Sequence, residues 1–437
     1  MKRVFFRLCG AIGCALAVQF PATAIAKSTE TVIYSFCSVK NCADGNGSLA
    51  GLVDVNGVLY GTTEWGGTHC RRQFGGCGTV FSVNATTGTE AAIYSFCSQK
   101  KCKDGMFPAA SLINIKGTLY GATPGGGTQH EGTAFALNPS TGAETVLHSF
   151  GTSGGDGADG WASLIDVNGT LYGTTCCGGA NANGGTVFAI NRKTGAETVV
   201  YSFCSQTNCT DGAGPLASLI EVNGALYGTT SVGGANEDCV GFGCGTVFSV
   251  DPATGAETVV YSFCRLRNCK DGAGPSAGLI NVNGTLYGTT EGGGSDTRCS
   301  DPQGYAGCGT VFSIDPATGT ETVLHSFHEN GKDGWAPLAG LIDVKGILYG
   351  TTQLGGSNTS CGFGGQTGCG TVFAIDLSTL TEKVLYSFCS QANCTDGMFP
   401  LSNLIAVNGA LYGTTEQGGT NCPSSNGCGT VFAIKNP

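Results

Sequence analysis

The sequence predicts an all-β fold, a seven-bladed β-propeller of four-stranded antiparallel blades. Three observations support this prediction. The chain repeats one unit of 52 to 63 residues seven times, each unit contains four short apolar runs, and the chain begins and ends at different points of the unit. A long internal period of this kind indicates an array of equal structural units.

The repeat is marked by Leu-Tyr-Gly-Thr-Thr, then Gly-Thr-Val-Phe, then Tyr-Ser-Phe or His-Ser-Phe. In the fourth unit, the apolar runs cover residues 216–222, 225–230, 246–250 and 257–263. They are too short for helices and rich in Val, Ile, Tyr, Phe and Thr, so they are predicted to be strands, named a, b, c and d in chain order. An Asn-Gly or Lys-Gly pair forms the a-to-b hairpin turn, and turns such as Pro-Ala-Thr-Gly join c to d.

The ends of the chain predict how the ring closes. The seventh unit contains strands a, b and c within residues 401–434 but no strand d, whereas residues 30–36 form a strand d that belongs to no blade. Pairing these fragments closes the ring and leaves no exposed sheet edge. In such a meander the d-to-a and b-to-c loops share one face of the ring, which we name the loop face. The tight turns occupy the other face, the turn face.

Residues 1–26 have the layout of a secretory signal peptide. Three basic residues precede an apolar run from Leu8 to Phe20, and an Ala-x-Ala site ends at Ala26. Thirteen apolar residues are too few to cross a membrane. The sequence therefore predicts a secreted, periplasmic or cell-surface protein with no membrane span, whose single propeller domain comprises residues 27–437.

Charge excludes some partners. Cleavage after Ala26 removes three basic residues and no acidic one, which leaves 18 Lys and Arg against 31 Asp and Glu, or about −13. Nucleic acid and anionic membranes are therefore poor partners. No cofactor is expected, and the domain is expected to be a monomer.

The cysteines follow the repeat in two sets, and within most units both members of a pair are present or both are absent. This pattern predicts disulfides in an oxidising compartment. Each cysteine pair stands alone, without a recurring histidine or C-x2-C motif beside it, which disfavours a zinc site. The predicted pairs are Cys37–Cys42, Cys97–Cys102, Cys204–Cys209, Cys264–Cys269 and Cys389–Cys394 in d-to-a loops, and Cys70–Cys77, Cys239–Cys244, Cys299–Cys308, Cys361–Cys369 and Cys422–Cys428 in b-to-c loops. Cys176 and Cys177 fall outside both sets. They are expected to form either a vicinal disulfide or two free thiols.

The motifs LYGTT, x-x-Gly-Gly, GTVF, Pro-x-Thr-Gly and ETVLYSF together resemble the Gloeo-Verruco (GloVer) tandem repeat of exported bacterial proteins. The resemblance covers about residues 30–434. It implies an extracellular or envelope location and no assigned activity.

One aspartate per unit precedes a glycine in the d-to-a loop, and a ring of seven carboxylates could collect Ca2+. Asp-Gly is also a favoured turn pair, which makes a structural role the stronger interpretation. The seven are Asp44, Asp104, Asp159, Asp211, Asp271, Asp333 and Asp396.

Candidate ligand-binding residues lie in the two d-to-a loops without cysteines. There His148 and His325 replace a strand-d tyrosine, and Trp161 and Trp335 follow an Asp-Gly pair. The second loop adds His328, Glu329 and Asp333. Exposed tryptophan beside polar groups is typical of a sugar site, whereas buried tryptophan and histidine would only refill the space of the missing disulfide.

No catalytic motif and no metal-ligand set is recognisable in the sequence. We therefore expect a binding module for a glycan or a protein. The alternative is an envelope polysaccharide hydrolase or lyase, with Glu329, His328 and Asp333 as its first candidates for acid and base. A purely structural surface role is the third interpretation.

Overall fold

The computed structural model describes residues 28–70, 75–152, 154–236, 239, 243–299, 305–359, 361–363, 366–421 and 427–437. The predicted signal peptide lies outside the described residues. Seven four-stranded antiparallel sheets form the blades, which confirms the predicted fold class. Strands a of neighbouring blades contact one another and therefore lie nearest the ring axis, whereas strands d are outermost.

The blades follow one another along the chain with strands a to d in order. Blade 1 is Val53–Val55, Val58–Thr63, Thr79–Asn84 and Glu90–Ser95; blade 2 is Ile113–Ile115, Thr118–Thr123, Thr133–Asn138 and Ala143–Ser149. Blade 3 is Ile165–Val167, Thr170–Thr175, Thr186–Asn191 and Glu197–Ser202; blade 4 is Ile220–Val222, Ala225–Thr230, Thr246–Val250 and Glu257–Ser262. Blade 5 is Ile280–Val282, Thr285–Thr290, Thr310–Asp315 and Thr320–Ser326; blade 6 is Ile342–Val344, Ile347–Thr352, Thr371–Asp376 and Thr381–Ser387.

Blade 7 combines the two ends of the described chain. Ile405–Val407, Ala410–Thr415 and Thr430–Lys435 are its strands a to c, and Thr29–Ser35 is its strand d. The last two strands pair antiparallel from Thr29 opposite Lys435 to Ser35 opposite Thr430, with a bulge between Val32 and Tyr34. The predicted closure of the ring is confirmed.

Strand a is shorter than the sequence predicts. In blade 4 it begins at Ile220, not at Leu216, because the preceding segment bonds to other partners. The carbonyl of Ala217 accepts a hydrogen bond of 3.0 Å from the Thr174 hydroxyl in strand b of blade 3. The last threonine but one of strand b thus joins neighbouring blades, and equivalent bonds from Thr62, Thr229, Thr289, Thr351 and Thr414 repeat the contact.

Phenylalanine rings fill the space between blades. Phe203, after strand d of blade 3, packs against Phe248 in strand c of blade 4 with ring centroids 4.9 Å apart, and all seven interfaces contain such a pair. The glycine of the LYGTT motif makes room for the ring, since a Cβ at Gly228 would lie 2.6 Å from the Cζ of Phe248. The repeated motif therefore records how the blades pack.

Nine of the ten predicted disulfides are formed. The tenth, Cys422–Cys428, was predicted with a partner, Cys422, that lies outside the described residues. Cys176 and Cys177 are free and half-buried. Short 3-10 turns end at the second cysteine of each d-to-a pair: Lys40–Cys42, Lys100–Cys102, Thr207–Cys209, Arg267–Cys269 and Ala392–Cys394.

Candidate functional site on the loop face

The d-to-a and b-to-c loops lie together, as the sequence predicts. In the loops before and within blade 2, the amide of Met106 donates to the carbonyl of Gly125 at 2.8 Å, and the Gly125 amide donates back at 3.2 Å. Equivalent pairs are Asn46 with Trp65, Ala213 with Val232, Ala273 with Gly292 and Met398 with Gln417. Two-residue ribbons replace them in the irregular blades, Gly157–Ala158 with Cys177–Gly178 and Gly334–Trp335 with Leu354–Gly355. In each blade, backbone hydrogen bonds thus join the preceding d-to-a loop to the b-to-c loop.

Disulfides reinforce most of this face in adjacent pairs. The sulfur atoms of Cys70–Cys77 and of Cys97–Cys102, in the next d-to-a loop, all lie within 4.8 Å of one another. Blade 2 lacks both disulfides, because its b-to-c loop at 124–132 and the following d-to-a loop at 150–164 contain no cysteine. The loop face therefore has one position where the whole covalent brace is missing.

Five of the loop aspartates have the same structural role. Asp211 is fully buried, and its Oδ2 accepts hydrogen bonds from the Tyr201 hydroxyl at 2.8 Å and the Ser205 amide at 2.9 Å, while its Oδ1 accepts from the Gln206 amide at 3.2 Å. Asp44, Asp104, Asp271 and Asp396 repeat this pattern. These carboxylates bind their own loops, as the turn interpretation expects.

In the loop before blade 3, one member of the predicted ring of aspartates is wrong. Asp156, not Asp159, occupies the common position, since its Oδ2 accepts from His148 Nε2 at 3.2 Å, as Asp333 Oδ2 does from His325 Nε2. The segment contains two Asp-Gly pairs, and the histidine forms its hydrogen bond with the aspartate of the first pair. Burial opposes ionisation of Asp156, but the hydrogen bonds from His148 and the Thr152 amide outweigh it and lower the pKa of this carboxyl.

Each aspartate also faces a glutamate from the outer strand of the next blade, which the sequence analysis missed. The glutamate of the recurring Glu-Thr-Val segment could have signalled it. Burial, followed by the charge of the facing aspartate, raises the pKa of Glu90, Glu144, Glu257 and Glu321 to about 7 and that of Glu30 to about 8. Oε1 of each, and Oε2 of Glu144 as well, is buried without a hydrogen-bond partner among the described residues.

The structure brings together the candidate residues of the loop after blade 5. His325 Nε2 lies 3.2 Å and His328 Nδ1 lies 3.8 Å from Asp333 Oδ2. The Glu329 amide donates to Asp296 Oδ2 at 3.1 Å. Asp296 also pairs with Arg298, whose guanidinium lowers the pKa of Asp296 to about 2.

The two candidate tryptophans are not equivalent. Trp335 is fully buried, and its Nε1 donates to the carbonyl of Thr367 at 3.3 Å, so at this position the structure fits the alternative in which the ring refills the space of the missing disulfide. The b-to-c loop of blade 6 covers the ring, which packs against core residues. Trp161 is 37 % exposed. Ala158, not Trp161, is the counterpart of Trp335 in the loop ribbon.

Trp161 lies where the brace is missing. Its amide donates to the Asp159 carbonyl at 3.1 Å, which also accepts from the Cys176 amide at 3.2 Å, and the Asp159 amide donates to the Glu131 carbonyl at 2.9 Å. Burial, and then the charge of Glu131, raises the pKa of the Asp159 carboxyl. The free thiols have sulfur atoms 2.8 Å apart. We name Glu131, Asp159, Trp161, Cys176 and Cys177 the Trp161 gap.

Fold and loops define a disulfide-rich seven-bladed propeller. The model of the Gloeobacter/Verrucomicrobia repeat matches residues 22–242, 206–362 and 300–437, and the chain belongs to this family. The comparison with curated proteins gave no match. No helix long and apolar enough to cross a membrane occurs among the residues that the structure describes.

Solved propellers resemble the chain in fold alone. An oligogalacturonate lyase in complex with manganese is 10% identical, with a TM-score of 0.51, 94% of this chain and 97% of that chain covered. The GH74 enzyme of Niastella koreensis is 14% identical, with a TM-score of 0.50, 85% of this chain and 51% of that chain covered.

Proposed function

We propose that this protein is an exported propeller that binds a glycan or protein ligand through its loop face, with the Trp161 gap as the main contact. The observation that carries the proposal is that the exposed indole stands at the one position where a blade lacks both of its loop disulfides. The nine disulfides between described cysteines support a location in an oxidising compartment, outside the cell or in the envelope.

The chemistry of the gap suits a sugar. An exposed indole presents a flat apolar surface and one N–H donor, and the carboxyls of Asp159 and Glu131 add hydrogen-bond acceptors beside it. The disulfide-bonded loops on either side hold this surface in place, so binding is expected to cost little conformational entropy. His148, His325, His328, Glu329 and Asp333, in the two loops without cysteines, are the proposed secondary contacts.

A glycan array tests the proposal with a matched pair of variants. We expect the wild type to bind a subset of the glycans, and Trp161→Ala to weaken that binding by at least about tenfold, because a central aromatic contact is lost. Leu266→Ala is the control, since Leu266 is 51% exposed on another d-to-a loop. It should bind as the wild type does. Equal binding by Trp161→Ala would refute the assignment of the gap.

The alternative, an envelope polysaccharide hydrolase or lyase, retains one supporting observation. His328, Glu329 and Asp333 lie in one loop with His325, and a general acid and base need such proximity. Incubation of each bound polysaccharide with the wild type and with His328→Ala distinguishes the two functions. Release of reducing ends by the wild type alone would favour the enzyme, and intact polysaccharide favours the binding module.

A further inference from the structure

Two imidazoles and a carboxylate converge after blade 5. His325 Nε2 and His328 Nδ1 lie 3.2 and 3.8 Å from the same oxygen, Asp333 Oδ2, and the two rings are 6.4 Å apart between centroids. Ligand atoms around one tetrahedral Zn2+ at about 2.0–2.2 Å are separated by roughly 3.4 Å. The two imidazole-to-carboxylate separations are within a few tenths of an ångström of that value.

The second oxygen of this carboxylate differs from its counterparts in the other six loops. Asp333 is 8% exposed, and its Oδ1 is buried without a hydrogen-bond partner among the described residues. In the five tyrosine loops a backbone amide donates to this oxygen. Here the corresponding amide, that of Glu329, donates to Asp296. An unpaired buried acceptor is destabilising, and a bound cation would pair with it.

A second carboxylate adds to the same place. Glu382, in strand d of blade 6, interacts electrostatically with Asp333 and His325, and its Oε1 is buried without a hydrogen-bond partner in the described part of the chain. In five other interfaces a tyrosine hydroxyl donates a hydrogen bond to the aspartate at this position. Here an imidazole nitrogen, a metal ligand, takes the place of a phenol.

The orientation of His328 suits a ligand. Its Nε2 lies 3.3 Å from the Ser295 hydroxyl, which can accept the Nε2 hydrogen and leave the lone pair of Nδ1 directed at Asp333. The side chain is 44% exposed, so an ion and water molecules can reach it from the loop face.

We propose that His325, His328 and Asp333 bind one divalent transition-metal ion such as Zn2+, with Glu382 as a fourth ligand. The ion takes the place of the hydrogen that His325 Nε2 donates to Asp333 Oδ2 in the metal-free protein. Imidazole and carboxylate are the ligand types that these ions accept together. The loop also supplies proposed secondary contacts of the ligand, but the metal proposal does not rest on that function, because Zn2+ binding to these three residues needs no glycan.

Blade 3 supplies an internal comparison. His148 and Asp156 repeat the first contact, at 3.2 Å, but Gly151 stands at the position of His328. Asp156 Oδ1 accepts a hydrogen bond of 2.8 Å from the Gly157 amide. Unlike Oδ1 of Asp333, this oxygen therefore has a hydrogen-bond donor. The same reasoning therefore predicts no metal ion at His148.

Calorimetric titration of the metal-stripped full chain with Zn2+ tests the proposal. Free thiols also bind Zn2+, so the titrations use a chain with Cys176→Ser and Cys177→Ser and no reductant. We expect one equivalent per chain, an affinity at least about tenfold lower in His328→Ala, and unchanged binding in His148→Ala. Because Asp333→Asn could fail to fold, His328→Ala, at a half-exposed position, is the decisive variant. Its melting temperature without metal should match the parent.

A Co2+ titration followed by visible absorption gives a second readout, because the intensity and position of the Co2+ ligand-field bands depend on the coordination number and geometry of the bound ion. Absence of a stoichiometric Zn2+ site would overturn the proposal. Unchanged affinity in His328→Ala, or an equal loss in His148→Ala, would overturn it as well.

Discussion

A chain that begins at Cys37 is expected to lose cooperative folding and to self-associate. It lacks the strand Thr29–Ser35, which pairs along its length with Thr430–Lys435. Val431, Phe432 and Ile434, all fully buried, would lie in a strand with an open edge. Such an edge pairs readily with other chains. Side chains of the closing strand also contact the blades on both sides. Removing the strand is therefore expected to destabilise the domain more than removing one hairpin would.

The contacts of the closing strand explain the size of this effect. The Tyr34 hydroxyl donates to Asp44 at 2.8 Å, Phe36 packs against Phe81 with centroids 5.0 Å apart, and Glu30 lies beside Asp396 and Tyr386. The total stability of a domain is only about 5–15 kcal/mol, so the loss of several contacts worth about 1 kcal/mol each removes a large fraction of it.

Size-exclusion chromatography and thermal melts compare this chain with one that begins at Ser28. The longer chain should be folded and monodisperse, and the shorter chain should aggregate or melt without a sharp transition. A peptide of residues 28–36, added during refolding, should restore the transition in part. Equal melting of the two chains would contradict closure by this strand.

The protein is expected to become less stable as pH rises from about 5 to 8. Each tyrosine hydroxyl has one hydrogen, and the Tyr201 hydroxyl, at 2.8 Å, gives it to Asp211. Glu257 Oε2 lies 3.5 Å from the same hydroxyl, whose only hydrogen is engaged by Asp211, so Tyr201 gives the Glu257 carboxylate little stabilisation. Burial and the neighbouring aspartate accordingly raise the pKa of Glu257 to about 7.

The sign of the effect follows from proton binding. Below about pH 4.5 the glutamates are protonated in both states, and the stabilisation is complete. Between about pH 4.5 and 7 the unfolded chain releases protons that the native state keeps, so the free energy of unfolding falls. It levels off above about pH 7, or pH 8 for Glu30. These side chains are partly exposed, so solvent screening reduces the effect of each one.

Melting temperatures measured at pH 5 and pH 8 check this prediction. We expect a decrease on the order of 5 °C or more. Glu144→Gln, which imitates a protonated glutamate, should raise the melting temperature at pH 8 and leave it nearly unchanged at pH 5. A wild-type melting temperature that increases toward pH 8 would contradict the proposed proton uptake.

The sequence predicted the ring and its disulfides because both follow from repetition. The unpaired strand at residues 30–36 and the joint presence or loss of cysteines are countable features. Residues in irregular loops were harder to place, since no second copy fixes their alignment. Asp159 was chosen where Asp156 occupies the position, because both precede a glycine.

Exposure and contacts between blades could not be predicted from one sequence. Trp335 is buried because a loop from blade 6 covers it, and the order of residues in its own loop does not reveal this. The pairing of Asp211 with Glu257 joins positions 46 residues apart in neighbouring blades. The recurrence of the glutamate, which the sequence analysis missed, points to a common role but does not identify the partner.

Hydrogen–deuterium exchange with and without a glycan selected on the array tests most directly whether binding occurs on the loop face at the Trp161 gap. We predict slower exchange at residues 125–132, 157–162 and 176–178, and little change at the Asn-Gly turns of the turn face. Protection confined to the turn face, with the Trp161 gap unchanged, would contradict the account.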